Sequence, residues 1–208
     1  MPTDRAQELL APDAPFRFVG GDSSLDFVNT ADWTERGLER DRFTSYDRLL
    51  EWGAGAGVLG AADARRLRRL AAAQARRAEA ALEAAHHARS VLRETFASMA
   101  AGRLSTNAVR KLNALIAAVA PHTRMVRGSD GRLVRGWEGF GASLESILWP
   151  VVWSAADLAS SPEIGKLRLC AGSDCGWLYI DRSRNGLRRW CEMSVCGTAE
   201  KNRRRALT

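Results

Sequence analysis

All four cysteines of this 208-residue chain stand beyond position 169, as two equally spaced pairs, Cys170-x4-Cys175 and Cys191-x4-Cys196. Fifteen residues separate the pairs, and four arginines lie within that gap. Thiols repeated in this way either cross-link or converge on one ion. A metal-free appendage of roughly forty residues has too little apolar core to hold itself, which argues against four idle thiols. Iron–sulfur clusters also take four cysteines, but their usual signatures have different spacings. The pattern therefore points to one structural Zn²⁺ held by Cys170, Cys175, Cys191 and Cys196.

The residues around the thiols give that site a shape. Lys166 to Cys170 reads as a strand entering a tight loop, Ala171 to Asp174. Cys175 to Ile180 alternates and returns as a second strand. The second pair lies where a further turn opens a short helix over Gly197 to Arg205. Two thiolates from a hairpin and two from a helix start close a tetrahedral shell at about 2.3 Å per sulfur, with no open position for chemistry. A helix N-terminus also favours thiolate charge. Trp177, Tyr179 and Trp190 read as cover for the metal, because so small a module needs its aromatics as core.

Charge is placed as unevenly as cysteine. The net charge is +7, and from Lys166 onward ten basic side chains face four acidic ones, leaving the rest of the chain near balance. Arg182, Arg184, Arg188 and Arg189 occupy the loop between the pairs, and Lys201, Arg203, Arg204 and Arg205 the final helix. Guanidiniums on a loop and a helix end can reach phosphate oxygens and a few guanine edges. A basic tail that aids solubility is the plainer alternative.

Upstream, a hydrophobic content of 46% and charged content of 26% are globular values. No apolar run nears the roughly 20 residues that span a bilayer. Met1-Pro-Thr-Asp-Arg lacks the n-region and h-region of a secretory signal, so a reducing cytoplasm is expected, where cysteine pairs serve as metal ligands. Residues 1 to 14 read as a frayed leader, Phe16 to Val19 as a short strand, and Asp22-Ser23-Ser24 as the cap of a helix over Leu25 to Thr30. Glu35 to Arg42 reads as a charged loop. Thr44-Ser45 caps a helix over Tyr46 to Trp52, stopped by the glycines from Gly53 to Gly57. That glycine run follows a helix and lacks the lysine of a phosphate loop.

Ala61 to Ala101 has the composition of a long helix or helical hairpin, with Leu82, Ala85, Ala88, Leu92, Phe96 and Met99 on one stripe. Arg65, Arg66, Arg68, Arg69, Arg76 and Arg77 fall mostly off it, on a solvated face. His86 and His87 are adjacent and diverge on a helix, so they do not chelate together. Ser105-Thr106 opens a helix facing inward through Val109, Leu112, Ile116 and Val119, ended by Pro121. A hairpin is expected around Gly128 to Gly131. Ala142 to Ser160 is helical, with a kink or a break at Pro150. Ser161-Pro162 marks a boundary. The fold class is mainly α with a few short strands (α+β): a helical domain over residues 15–162 and a small treble-clef-like or ribbon-like zinc finger over 166–207.

No nucleophile–base pair, HExxH or paired acids at motif spacing occur in the helical part, so no enzyme is expected. Asp26, Asn29 and Thr30 could line a ligand site, though a hydrogen-bond network at a helix start explains them too. Trp33, Trp52, Trp137, Trp149 and Trp153 could line an apolar pocket, with core packing the default.

The stretch Cys175-Gly-Trp-Leu-Tyr-Ile-Asp-Arg-Ser-Arg-Asn185, followed by Arg188-Arg-Trp-Cys-Glu-Met-Ser-Val-Cys-Gly197, strongly resembles the CGNR zinc finger. Gly20-Gly21 followed by Leu25-Asp-Phe-Val-Asn-Thr30 is similar to the ABATE domain that commonly precedes it. The resemblance implies a stress-responsive bacterial transcription regulator whose finger binds DNA and whose helical domain senses a ligand or forms a homodimer. The alternative is an adaptor whose finger binds RNA or protein. One departure is plain: where the family carries Cys-Gly-Asn-Arg, this chain has Cys196-Gly197-Thr198-Ala199, without the amide and guanidinium of that motif. Neither missing residue is a metal ligand.

Overall fold

The computed structural model describes residues 14–34, 37–173 and 175–206. The leader expected over residues 1 to 14 falls, but for Ala14, outside them. Phe16 to Val19 is not a strand; among the described residues no strand pairs with it. Asp22 then takes extended backbone, and its carboxylate accepts from the Ser24 amide at 2.9 Å, opening α1 (Ser23–Val28).

The run expected as a charged loop is instead largely a strand. β1 (Ala31–Thr34) and β2 (Gly37–Asp41) form an antiparallel hairpin with an irregular register at Asp32/Trp33. Its charges are matched across space. Asp32 accepts from Arg40 at 2.9 Å and from Arg42 at 3.0 Å, and Asp41 accepts from the buried Arg89 at 2.7 Å. A charge pattern that reads as solvated loop is satisfied here by partners up to 48 residues away.

Helices α2 (Tyr46–Gly55), α3 (Ala61–Ala73) and α4 (Ala75–Ala100) follow. Ser45 caps α2 as its sequence position implies. The alanine-rich stretch is a helical hairpin, broken at Gln74, whose φ of −136° and ψ of 57° leave the helical region. Ala78, Ala81, Ala85, Ala88, Leu92 and Phe96 form the buried stripe of α4, small side chains that let its backbone approach its neighbours closely. Arg65, Arg66, Arg68, Arg69, Arg76 and Arg77 are exposed, His87 is exposed and His86 half-buried.

α5 (Thr106–Val119), capped by Ser105, turns its Ala108, Leu112 and Val119 inward. Val109, expected on that face, is 38% exposed, because the buried stripe lies one residue back. After a 3-10 turn, β3 (Thr123–Arg127) and β4 (Leu133–Trp137) make the expected hairpin around Gly128 to Gly131. Pro150 causes no kink. A 3-10 turn over Leu144–Ile147 leads into α6 (Leu148–Ser160), and Pro150 falls in its first turn, where a missing N–H has no helical partner to lose. Trp52 and Trp149 are buried, and Trp33, Trp137 and Trp153 half-buried. β5 (Leu167–Leu169), β6 (Leu178–Ile180) and α7 (Thr198–Ala206) follow, and the described residues are mainly helical with three two-stranded antiparallel sheets.

Short as it is, α1 sits at the centre. It packs against α4, α6 and β6, and Leu25, Phe27 and Val28 are wholly buried. Leu167, Leu178 and Ile180 belong to the same apolar cluster as the helices, so one core runs through both parts of the chain. No helix among the described residues is long and apolar enough to cross a membrane.

Asp26, on α1, accepts from the Gly20 amide at 2.8 Å. Burial, opposed by that amide and reinforced by the Asp22 carboxylate, pushes its carboxyl up from 3.8 to about 6. A raised carboxyl stabilises the fold only while protonated, so its contribution is full below pH 3.8 and is lost as pH rises through 6. Asp26→Asn keeps the acceptor and removes the charge. The variant should be about 1–3 kcal/mol more stable than the wild type near pH 8, with the gap shrinking below about pH 6, as read by urea unfolding at matched pH.

Candidate metal centre and basic surface

The first pair of cysteines is set by the β5–β6 hairpin. The Cys170 amide donates to the Trp177 carbonyl at 2.8 Å, closing a tight turn that brings Cys175 beside it. Gly176 has φ +64°, and a Cβ there would lie 1.9 Å from the Trp33 carbonyl oxygen, so only glycine fits between the knuckle and the β1–β2 hairpin. The loop to the second pair is folded around Asp181, whose carboxylate accepts from the Ser183 hydroxyl at 2.6 Å, the Ser183 amide at 2.9 Å and the Arg188 amide at 3.0 Å. These donors hold the Asp181 carboxyl below its ordinary value, the Ser183 hydroxyl most. The Ala171 amide donates to the Arg189 carbonyl at 2.9 Å and draws the loop against the first knuckle. Cys191 follows, and Cys196 sits in a wide turn, Met193–Gly197, that leads into α7.

The four sulfurs lie within 4.8 Å of one another. Cys191 Sγ is 3.6 Å from Cys175 Sγ and 3.6 Å from Cys196 Sγ. Tetrahedral zinc with bonds of about 2.3 Å places its sulfurs about 3.8 Å apart, and a disulfide about 2.05 Å, so the spacing fits one shared ion and no cross-link. The Cys170 sulfur also accepts from the Cys191 amide at 3.3 Å and the Gly172 amide at 3.5 Å, the pattern that suits a thiolate. Hydrogen bonds from the Cys175, Cys191 and Cys196 thiols hold the Cys170 thiol far below the ordinary range. Donation to Cys170, with burial adding, holds the protons of Cys175 and Cys191 in place. Against the opposing effect of Cys170, hydrogen bonding with Cys175 and Cys191 holds the Cys196 thiol low as well, and metal binding displaces the thiol protons that remain. The four cysteines are positioned to bind one metal ion, consistent with a single structural zinc.

Trp177 and Tyr179 are buried against the cysteines, with Trp190 and Val19 beside them. The Tyr179 hydroxyl donates to the Arg188 carbonyl at 2.6 Å, and burial with the Cys170 charge pushes its proton affinity up to about 12. Sequence reasoning missed how the helical part grips this module. The Asn29 side-chain amide donates to the Leu178 carbonyl at 2.8 Å and accepts from the Leu178 amide at 2.9 Å, pairing as a strand would. The Trp177 indole donates to Ala31 O at 3.1 Å and Asp32 Oδ1 at 3.1 Å. Arg17 and Arg42 lie over the Trp177 ring, 4.8 and 5.4 Å from its centre. The only sequence signal for any of this was the Asp26/Asn29/Thr30 cluster, and the structure resolves that cluster as a scaffold. Thr30 accepts from Arg89 at 3.0 Å and donates to Phe27 O at 2.7 Å.

The basic candidates divide into two groups. Arg182 donates to Glu163 Oε2 at 2.6 Å and to Gly21 O at 2.9 Å, and Arg188 donates to the Trp190 and Cys191 carbonyls while lying 4.3 Å over Tyr179. Both tie the module together. Arg184, Arg189, Lys201, Arg203, Arg204 and Arg205 are exposed, with Arg189 over Trp190 and Arg203 and Arg204 paired to Glu200. Thr198 and Ala199 lie exposed on the first turn of α7, away from the sulfurs' cover. Two shallow depressions on the helical part, ≈ 390 and ≈ 300 Å³, are lined by residues of α2, α3, α4 and the 142–145 segment. Tyr46, in the second, is held protonated by burial and donates to Leu144 O at 2.7 Å, an anchoring contact.

Residues 21–162 match the family model ABATE, described as "Putative stress-induced transcription regulator", which spans more than half of the chain, and residues 166–206 match the CGNR zinc finger. Comparison with curated proteins finds no match.

Elemental analysis of protein purified without chelator should give about one zinc per chain, and Cys191→Ser should abolish it together with the near-ultraviolet signal of the tryptophans around the site. Asn29→Leu leaves both main-chain groups of Leu178 unpaired in the core. It should cost about 2–5 kcal/mol in chemical unfolding.

Proposed function

We propose that this chain, which belongs to the ABATE family and closes with a CGNR zinc finger, is a transcription regulator that binds DNA through the finger. The observation that carries the reading is the placement of charge around a closed metal site. α7 buries no residue and presents Lys201, Arg203, Arg204 and Arg205, and the loop adds Arg184 and Arg189. Six exposed cations on one small module suit phosphate. Glu200 partly offsets them, but exposed ion pairs are weak enough for phosphate oxygens to displace. Arg182 and Arg188 act as positioning residues, holding the loop that carries Arg184 and Arg189. Within this reading residues 15–162 form the unit that senses a ligand or dimerises, 166–207 form the DNA-contacting unit, and the protein works in the cytoplasm. A second copy supplies the base contacts that one finger lacks.

One observation favours a second reading, in which the finger caps the helical core and binds RNA or protein. The inner face of β5–β6 is part of that core. Competition between duplex DNA and single-stranded RNA separates the two.

Binding to duplex DNA should weaken steeply with salt. Replacing Arg203, Arg204 and Arg205 together by alanine should reduce the slope of log K against log salt by about 2–3, at about 0.9 per phosphate contact. Arg182→Ala should leave that slope unchanged while lowering thermal stability. A slope that ignores the triple substitution removes α7 from the interface.

A further inference from the structure

Four thiolates around a divalent ion carry a double negative charge, and here that charge is buried among Trp177, Tyr179 and the knuckle backbone. A buried charge needs a counter-charge or a dense set of donors. Several guanidiniums of the helical part approach the site, and most already have a carboxylate. Arg17 pairs with Glu192, Arg40 with Asp32 at 2.9 Å, and Arg42 with Asp32 at 3.0 Å.

Arg93 of α4 differs. Among the described residues no carboxylate lies within ion-pair distance of it, and its Nη1 is buried with no hydrogen-bond partner. Its guanidinium lies over the Trp33 ring, 5.7 Å from the centre. Trp33 in turn is fastened to the first knuckle: its amide donates to the Cys175 carbonyl at 3.4 Å, and its carbonyl covers Gly176. Arg93 is therefore an unbalanced, half-buried cation hung on the strand that touches Cys175. Burial lowers its proton affinity, and negative charge on the Cys175 sulfur, which metal binding supplies, raises it. Among the described residues the face of Trp33 is the one group set against the cation when the metal site is empty.

We propose that Arg93 is the outer counter-ion of the metal centre, so that the helical part of the chain supplies the charge with which the finger holds its metal. The inference rests on the metal assignment and is independent of DNA binding. It makes metal affinity a property of the whole chain, because Arg93 is carried by α4, which packs on β5 of the cysteine module and meets Trp33 of the β1–β2 hairpin.

Zinc affinity of the full chain, measured by competition with a chromophoric chelator, tests it alongside the unfolding of the metal-free protein. Arg93→Met keeps the apolar stem and removes the charge. It should bind zinc about 10–100-fold more weakly, while the metal-free variant is at least as stable as the metal-free wild type, because an uncompensated cation has gone. Arg93→Lys keeps the charge and should bind zinc like the wild type. A residue that only packs would shift both states alike and leave zinc affinity unchanged, and that result overturns the proposal. Should Arg93→Met fail to fold, Arg93→Lys decides: an affinity loss of about tenfold or more overturns it, and a retained affinity supports it. A wild-type chain that binds no zinc overturns the metal assignment as well, whereas normal zinc binding by both the wild type and Arg93→Met overturns the counter-ion role alone.

Discussion

Asn29 commits both ends of its amide to the main chain of Leu178, at 2.8 and 2.9 Å, and much of the molecule follows from that pair. β6 is only three residues long and has one strand neighbour. Its other edge would be left with unpaired groups in the core, at a cost of about 1–3 kcal/mol each. A side-chain amide at the end of α1 closes that edge. The same contact fixes where Trp177 must lie, and so which face of the knuckle the metal cluster turns toward the helices. Leu167, Leu178 and Ile180 then join the helical core, and the finger is built into the domain beside it.

Charge follows the same division between holding and presenting. Of the eight basic residues around the second cysteine pair, Arg182 and Arg188 bind carbonyls and Glu163, while the other six are exposed, Arg189 over Trp190 and Arg203 and Arg204 beside Glu200. A module this small cannot use all of its cations for a partner, because its loops need donors to fold. The metal centre has the converse problem, an excess of negative charge in a small dry volume. Among the described residues Arg93 and Arg188 are two nearby part-buried cations without a carboxylate of their own, one from each part of the chain.

Much of this was legible in the residues. Ser45, Ser105 and Asp22 open helices as capping side chains do, the alanine stripe of α4 is buried, and the cysteine pairs converge. These are local or periodic signals, and each is read within a few turns of chain. The failures share one cause. Glu35 to Arg42 reads as loop because it is dense in charge, yet Asp32 across the hairpin and the distant Arg89 take up those charges. Phe16 to Val19 alternates as a strand does, but no neighbouring strand is there to pair with it. Pro150 reads as a kink or as a break into two helices, and the stretch is divided, but ahead of the proline, where a 3-10 turn gives way to α6 and leaves Pro150 in its first turn.

The sequence by itself determined the ligand set, the helical character and the polarity of charge along the chain, because thiol spacing, apolar periodicity and composition act over short distances. Only the tertiary structure decided which arginines fasten the loop and which do not, that Asn29 completes a sheet edge, and that Arg93 lies over Trp33, whose amide meets the Cys175 carbonyl. Those are facts about groups distant in the chain meeting in a low-dielectric interior, where a hydrogen bond or a missing counter-charge costs several times what it does in water.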